Sequence, residues 1–164
     1  MGQPIAFLIT FTTYGTRLHG DERGTVDKAH NQYGTPHRPQ DDKLEAHRKK
    51  LMKHESTLIS PAMRRIIRLT IMEVCETRGW RLAALNIRTN HVHVVVSFHG
   101  VRATKMMGDL KAYSTRNLRN ANLVAADENV WTAGGSTRAI FDEDGLWRAV
   151  DYVENEQGSD LPEE

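Results

Sequence analysis

The stretch His91 to Phe98 (HVHVVVSF) is the most hydrophobic strand-like segment of the chain, and its alternation constrains everything around it. Successive side chains of a strand point to opposite faces, so His91, His93, Val95 and Ser97 share one face and Val92, Val94, Val96 and Phe98 the other. The greasy face needs a covering layer. The other face presents two imidazoles pointing the same way, and neutral imidazole is a common metal ligand. An i, i+2 pair on a rigid strand brings both nitrogens within reach of one ion. Taken alone, such a pair is more often a strand face that happens to carry histidines, so the rest of the chain has to decide.

Residues 4–13 also alternate, with Ile5, Phe7, Ile9 and Phe11 on one side and Ala6, Leu8, Thr10 and Thr12 on the other, which predicts a first strand. Tyr14 to Gln40 is rich in Gly, Pro, Asn, Asp and His and lacks periodicity; it reads as the main part of an irregular insertion at about 15–58, completed by a short polar helix over Asp41 to His54. Ser60-Pro61 supplies an N-cap and a proline at the first helical position, and apolar residues recur at helical spacing until Gly79, predicting a helix over about 61–78. Trp80 to Arg88 reads as a second strand with Ala83, Leu85 and Ile87 inward and Asn86 and Arg88 outward, and Thr89-Asn90 as a tight turn into the histidine strand. Residues 102–120 are helical in pattern, Trp131 to Phe141 carries one or two short strands around Gly134-Gly135, and a last helix runs from about Asp144 to Glu156.

The order β-α-β-β-α-β-α is satisfied by an α+β, ferredoxin-like antiparallel sheet with both long helices on one face. The valines belong under those helices. The histidines then lie on the other, open face, where a site can be assembled.

A chain of 164 residues is one domain, 1–164, by the usual prior. The N-terminal MGQPIAFLITFTT is too short for a membrane span and has neither a basic leader nor a small-residue cleavage site. The single cysteine, Cys75, excludes an intrachain disulfide and points to a reducing cytoplasm. The formal net charge of +1 hides an uneven distribution, because the tail (Glu154, Glu156, Asp160, Glu163, Glu164) is acidic while His47 to His54 (HRKKLMKH) is basic. A basic body is permissive of a nucleic-acid ligand without demanding one.

An H-hydrophobic-H strand inside such a sheet, with a tyrosine on a C-terminal helix, resembles the HUH single-strand DNA endonucleases. More specifically the chain is similar to the single-tyrosine transposases of bacterial insertion sequences and the REP-associated tyrosine transposases. The matching stretches are FTTYGTRLHGDERG, NHVHVVVS, VWTAGG and LWRAVDYVENEQG, in the family's order. The resemblance implies Tyr152 as nucleophile and a divalent ion, Mg²⁺ or Mn²⁺, held by His91, His93 and a ligand four residues after the tyrosine, here Glu156. Glutamate stands where relatives carry an amide, and Asn155 and Gln157 adjoin it, so the third ligand stays open among them. It also implies a bacterial cytoplasmic protein, on the nucleoid when bound to DNA, that cleaves and rejoins single-stranded DNA beside hairpins through a 5′-phosphotyrosine bond. Members act as dimers or alone, so a homodimer is open, and Asp142 to Gly145 (DEDG) reads as a hinge before the tyrosine helix.

The chemistry is consistent with this. A phenol of reference pKa about 10 is a poor nucleophile at neutral pH without a metal-polarised phosphate or local deprotonation, and the i, i+4 spacing places Tyr152 and Glu156 on one helical face. A carboxylate suits Mg²⁺ or Mn²⁺. Tyr113, in KAYSTRNLR, is the rival nucleophile, with cations beside it but no oxygen ligand at i+4. Candidate DNA contacts are Arg88, Lys105, Lys111, Arg116, Arg119, Arg138 and Arg148, with Trp131 available to stack on a base and Arg48, Lys49, Lys50 and Lys53 to grip a hairpin stem. Two other classes compete: a non-catalytic ferredoxin-like module that binds single strands, and a hydrolase that activates water and forms no covalent adduct.

Overall fold

The computed structural model describes residues 2–16 and 55–162, together with 42, 43, 46 and 50. Asp42, Lys43, Ala46 and Lys50 are helical, as the expected polar helix requires, whereas the rest of that helix, most of the insertion at about 15–58 and Arg48, Lys49 and Lys53 lie outside the described residues. The elements that carry the argument are β1 (Ala6–Thr12), α1 (Pro61–Arg78), β2 (Arg81–Ile87), β3 (His91–Ser97), α2 (Ala103–Asn120), β4 (Ser136–Ile140) and α3 (Glu143–Asn155).

Helix α1 begins and ends where its sequence says. The Ser60 side chain accepts the Met63 N–H, Pro61 occupies the first turn, and Gly79 closes the helix in the left-handed region at φ 70°. The strands form one sheet in the order β2-β3-β1-β4, antiparallel throughout, which is the ferredoxin-like arrangement. Ile9 and Phe11 of β1, Ile87 of β2 and Val92, Val94 and Val96 of β3 pack in one cluster with Met63, Ile67 and Ile71 of α1 and Met106, Leu110 and Leu118 of α2. This is the face of the sheet that the two long helices cover.

The expected inward residue of β2, Ala83, is exposed. A bulge between Leu82 and Ala84 inserts an extra residue, so Leu82 pairs with Val96 and Ala84 with Val95. Side-chain phase changes across it, leaving Leu82, Leu85 and Ile87 toward the long helices and Ala84 toward the opposite face. The Trp131 to Phe141 region contains strand β4 and a single bridge, Thr13 to Trp131.

The histidine face is turned away from α1 and α2 and is partly roofed by α3. Ala149 and Val153 of α3, with Leu146 and Val150 at its edges, pack on Ala6, Leu8, Ala84, Val95 and Ile140. The small side chains at positions 6, 84 and 149 let helix and sheet approach closely. Asp142 to Gly145, expected as a hinge, is the capped first turn of α3: Asp142 Oδ1 accepts the Gly145 N–H at 2.7 Å, and Glu143 and Asp144 follow at the positive end of the helix dipole. No helix among the described residues is long and apolar enough to cross a membrane.

Candidate active site

Pairing across the sheet assembles the site. In the antiparallel register Asn86 of β2 stands opposite His93 of β3, His93 opposite Thr10 of β1, and Thr10 opposite Ser136 of β4. Directly paired residues share a face, so this polar row crosses the whole sheet on the face that carries α3.

The His91 and His93 rings lie with centroids 4.8 Å apart, edge to face. His93 is buried, at 5% exposure, because α3 covers it. The Nδ1 atom of each ring is held: Asn90 Oδ1 lies 2.7 Å from His91 Nδ1, and Thr10 Oγ1 lies 2.8 Å from His93 Nδ1. An amide oxygen only accepts, so this contact is made through a proton on His91 Nδ1. The Thr10 hydroxyl accepts Nδ1–H of His93 equally well. Such outer partners fix the tautomer and orientation of metal-ligating imidazoles.

Tyr152 projects from α3 with its ring centroid 5.4 Å from that of His93. It is 39% exposed, so the phenol meets both the imidazole and solvent. Glu156 forms the C-cap of α3, its backbone N–H donating to the Tyr152 carbonyl at 3.2 Å, and it is exposed. Gln157 Nε2 donates to the same carbonyl at 3.1 Å, and Asn155 Nδ2 donates to Asp151 Oδ1 at 2.9 Å. Among the described residues no group of three or more His, Cys, Asp and Glu side chains gathers around one point. His91 and His93 fit a metal as two oriented nitrogens, and the structure does not bring the expected third ligand, Glu156, together with them.

The rival phenol sits elsewhere. Tyr113 packs against the core beneath the long helices, between Arg78 at 5.9 Å and Arg116 at 5.2 Å from its ring centroid. It belongs to the side of the sheet away from the histidines. The hydrogen bond with Tyr113, followed by the charge of Asp109, raises the pKa of Arg78.

The seven cations divide likewise. Arg138 of β4 pairs with Leu8 and so belongs to the tyrosine side, with exposed Arg148 on α3 itself. Arg88, after β2, donates to the Ser159 carbonyl at 3.0 Å in the tail that follows α3. Lys105, Lys111, Arg116 and Arg119 ride on α2, in the opposite layer. Lys105 pairs with Asp109 at 2.7 Å, and Arg119 donates to the Glu128 carbonyl at 3.2 Å. Lys111 is half-buried; its ammonium donates to the carbonyls of Thr132 and Gly134, and burial lowers its pKa to about 8. Trp131 packs edge-on to Phe11 at 4.8 Å and donates Nε1–H to the Lys111 carbonyl. Thr10, Asn86 and Asn90 flank the histidines; alternation along β2 places Asn86 on the open face, whereas the contacts that Thr10 and Asn86 make depend on strand register.

A ferredoxin-like sheet carrying an H-x-H strand beneath a tyrosine helix defines an HUH-type tyrosine transposase fold. The model of the IS200-like transposase family matches residues 41–156, well over half of the chain, and the chain belongs to that family. Among solved structures it is similar to a REP-associated tyrosine transposase bound to a REP hairpin, at 12% identity and a TM-score of 0.50. The match covers 93% of this chain and 66% of that one. It is also similar to a candidate transposase from Deinococcus radiodurans R1, at 12% identity and a TM-score of 0.47, covering 97% and 95% of the two chains. No curated protein matches it.

Proposed function

We propose that this transposase cleaves and rejoins single-stranded DNA beside a hairpin, using Tyr152 as nucleophile and a divalent ion held by His91, His93 and Glu156. The observation that carries this reading is the 5.4 Å approach of the Tyr152 ring to His93 within one chain. When bound, Mg²⁺ or Mn²⁺ supplies Lewis acidity to the scissile phosphate. The chain's own residues do the rest. Asn90 and Thr10 keep the imidazoles in the ligating orientation, and α3 holds the phenol at the edge of the site.

The phenolic oxygen of Tyr152 forms a bond to phosphorus while the bond from phosphorus to the 3′ oxygen breaks. The phenol's proton passes to solvent and the departing oxygen takes one up, leaving a 5′-phosphotyrosine bond and a 3′-hydroxyl. Attack by another 3′-hydroxyl reverses the step and joins strands without ATP. Arg138 and Arg148, on the tyrosine side, suit phosphates flanking the cleaved bond; the hairpin substrate is supported by the REP hairpin bound to the related structure.

The test is incubation with a labelled single-stranded hairpin substrate and Mn²⁺. A denaturant-resistant adduct that is lost in Tyr152→Phe and in EDTA is expected. Binding without any adduct in the wild type would favour a non-catalytic single-strand-binding module instead.

A further inference from the structure

The last turn of a helix leaves carbonyls without intrahelical donors. In α3 the Tyr152 carbonyl is satisfied by Glu156 and Gln157 of the same segment. The next carbonyl is different: Val153 O accepts the Asn86 Nδ2–H from β2 at 2.9 Å. Val153 is fully buried, so a donor from the sheet replaces one that water would otherwise supply. Asn86 is opposite His93 in the strand register. One carboxamide therefore ties the residue after Tyr152 to the strand position beside the histidine.

The hydrophobic contact under α3 is modest, with Ala149 and Val153 the buried side chains it contributes. A small apolar patch permits sliding and rotation, whereas a directed hydrogen bond does not. We infer that Asn86 is a positioning residue that seats the tyrosine helix and sets the approach of Tyr152 to His93. A carboxylate at this position is isosteric but has no N–H to give, and it would face the Val153 carbonyl with like partial charge.

The role in turnover rests on the function proposed above, but the seating of the helix does not, and the experiment separates them. Hydrogen exchange, single-turnover cleavage and hairpin affinity are measured for Asn86→Asp and Asn86→Ala in the full chain. Amide exchange in α3 should rise about tenfold, the effect of one buried hydrogen bond, while α1 and α2 keep wild-type protection. The cleavage rate should fall about tenfold with hairpin affinity within about twofold of wild type. Unchanged exchange in α3 would overturn the inference, and so would an equal rise in all three helices, because the variant would then be globally destabilised. If wild type itself does not cleave, the proposed function fails while the exchange result still decides the seating of α3.

Discussion

An imidazole gives a metal only the nitrogen that holds a lone pair, so what binds its other nitrogen matters as much as where the ring lies. Asn90 and Thr10 perform that task for His91 and His93. Replacing Asn90 by Ala or Thr10 by Val should weaken Mn²⁺ binding by roughly 10–100-fold, the usual effect of removing such a partner. Titration calorimetry reads the affinity and circular dichroism checks the fold; unaltered affinity in both variants would refute the orienting role. The histidine pair was legible because alternation along a strand depends only on the sequence of that strand. Thr10 and Asn86 were not, because their meeting with His93 depends on register, and register is set by the turns and by the bulge at Ala83.

At the level of elements, the segment between α2 and β4 is held against β1 by a few specific contacts. Gly135 has φ 153°, and a Cβ there would stand 2.6 Å from both the Thr10 carbonyl and Met107 Sδ. Gly135→Ala should therefore destabilise the protein by about 3 kcal/mol, lowering Tm by roughly 10 °C; a melt within about 2 °C of wild type would exclude the clash. Lys111 tethers the same segment through the Thr132 and Gly134 carbonyls. Its folded pKa, about 8, lies below its ordinary value of 10.5 because burial penalises the ammonium. Between those values the unfolded chain binds the proton and the folded chain has released it, so stability contributed by this group rises with pH across the window from about 8 to 10.5. Denaturant melts should show wild type gaining on Lys111→Met over that window, the gain damped by the partial exposure of the side chain; a parallel pH dependence would contradict it. The sequence offered this cation only as a candidate DNA contact, and its commitment to two carbonyls is a property of the folded loop.

For the molecule as a whole, the element order was enough to foresee which face of the sheet the long helices cover, because two 18-residue amphipathic helices and a valine-lined strand have few ways to bury each other. The placement of α3 was harder to foresee. Its sequence fits release and exchange as well as docking, yet its capped start follows closely on β4, its Leu146, Ala149, Val150 and Val153 rest on its own sheet, and its tail continues past Arg88 to Arg64, whose guanidinium donates to the Pro162 carbonyl at 3.0 Å. Each of these contacts is intramolecular, so a partner's helix would have to displace all of them together. Tyr152 should therefore serve the histidines of its own chain. Mixing Tyr152→Phe protein with His93→Ala protein puts an intact tyrosine and an intact histidine pair on separate chains. With the site assembled in each chain alone, the mixture should cleave no faster than the sum of the two variants at any concentration. Restoration that grows with concentration would mean that α3 crosses to a second copy, and that the docking seen here is one of two seats for the tyrosine helix.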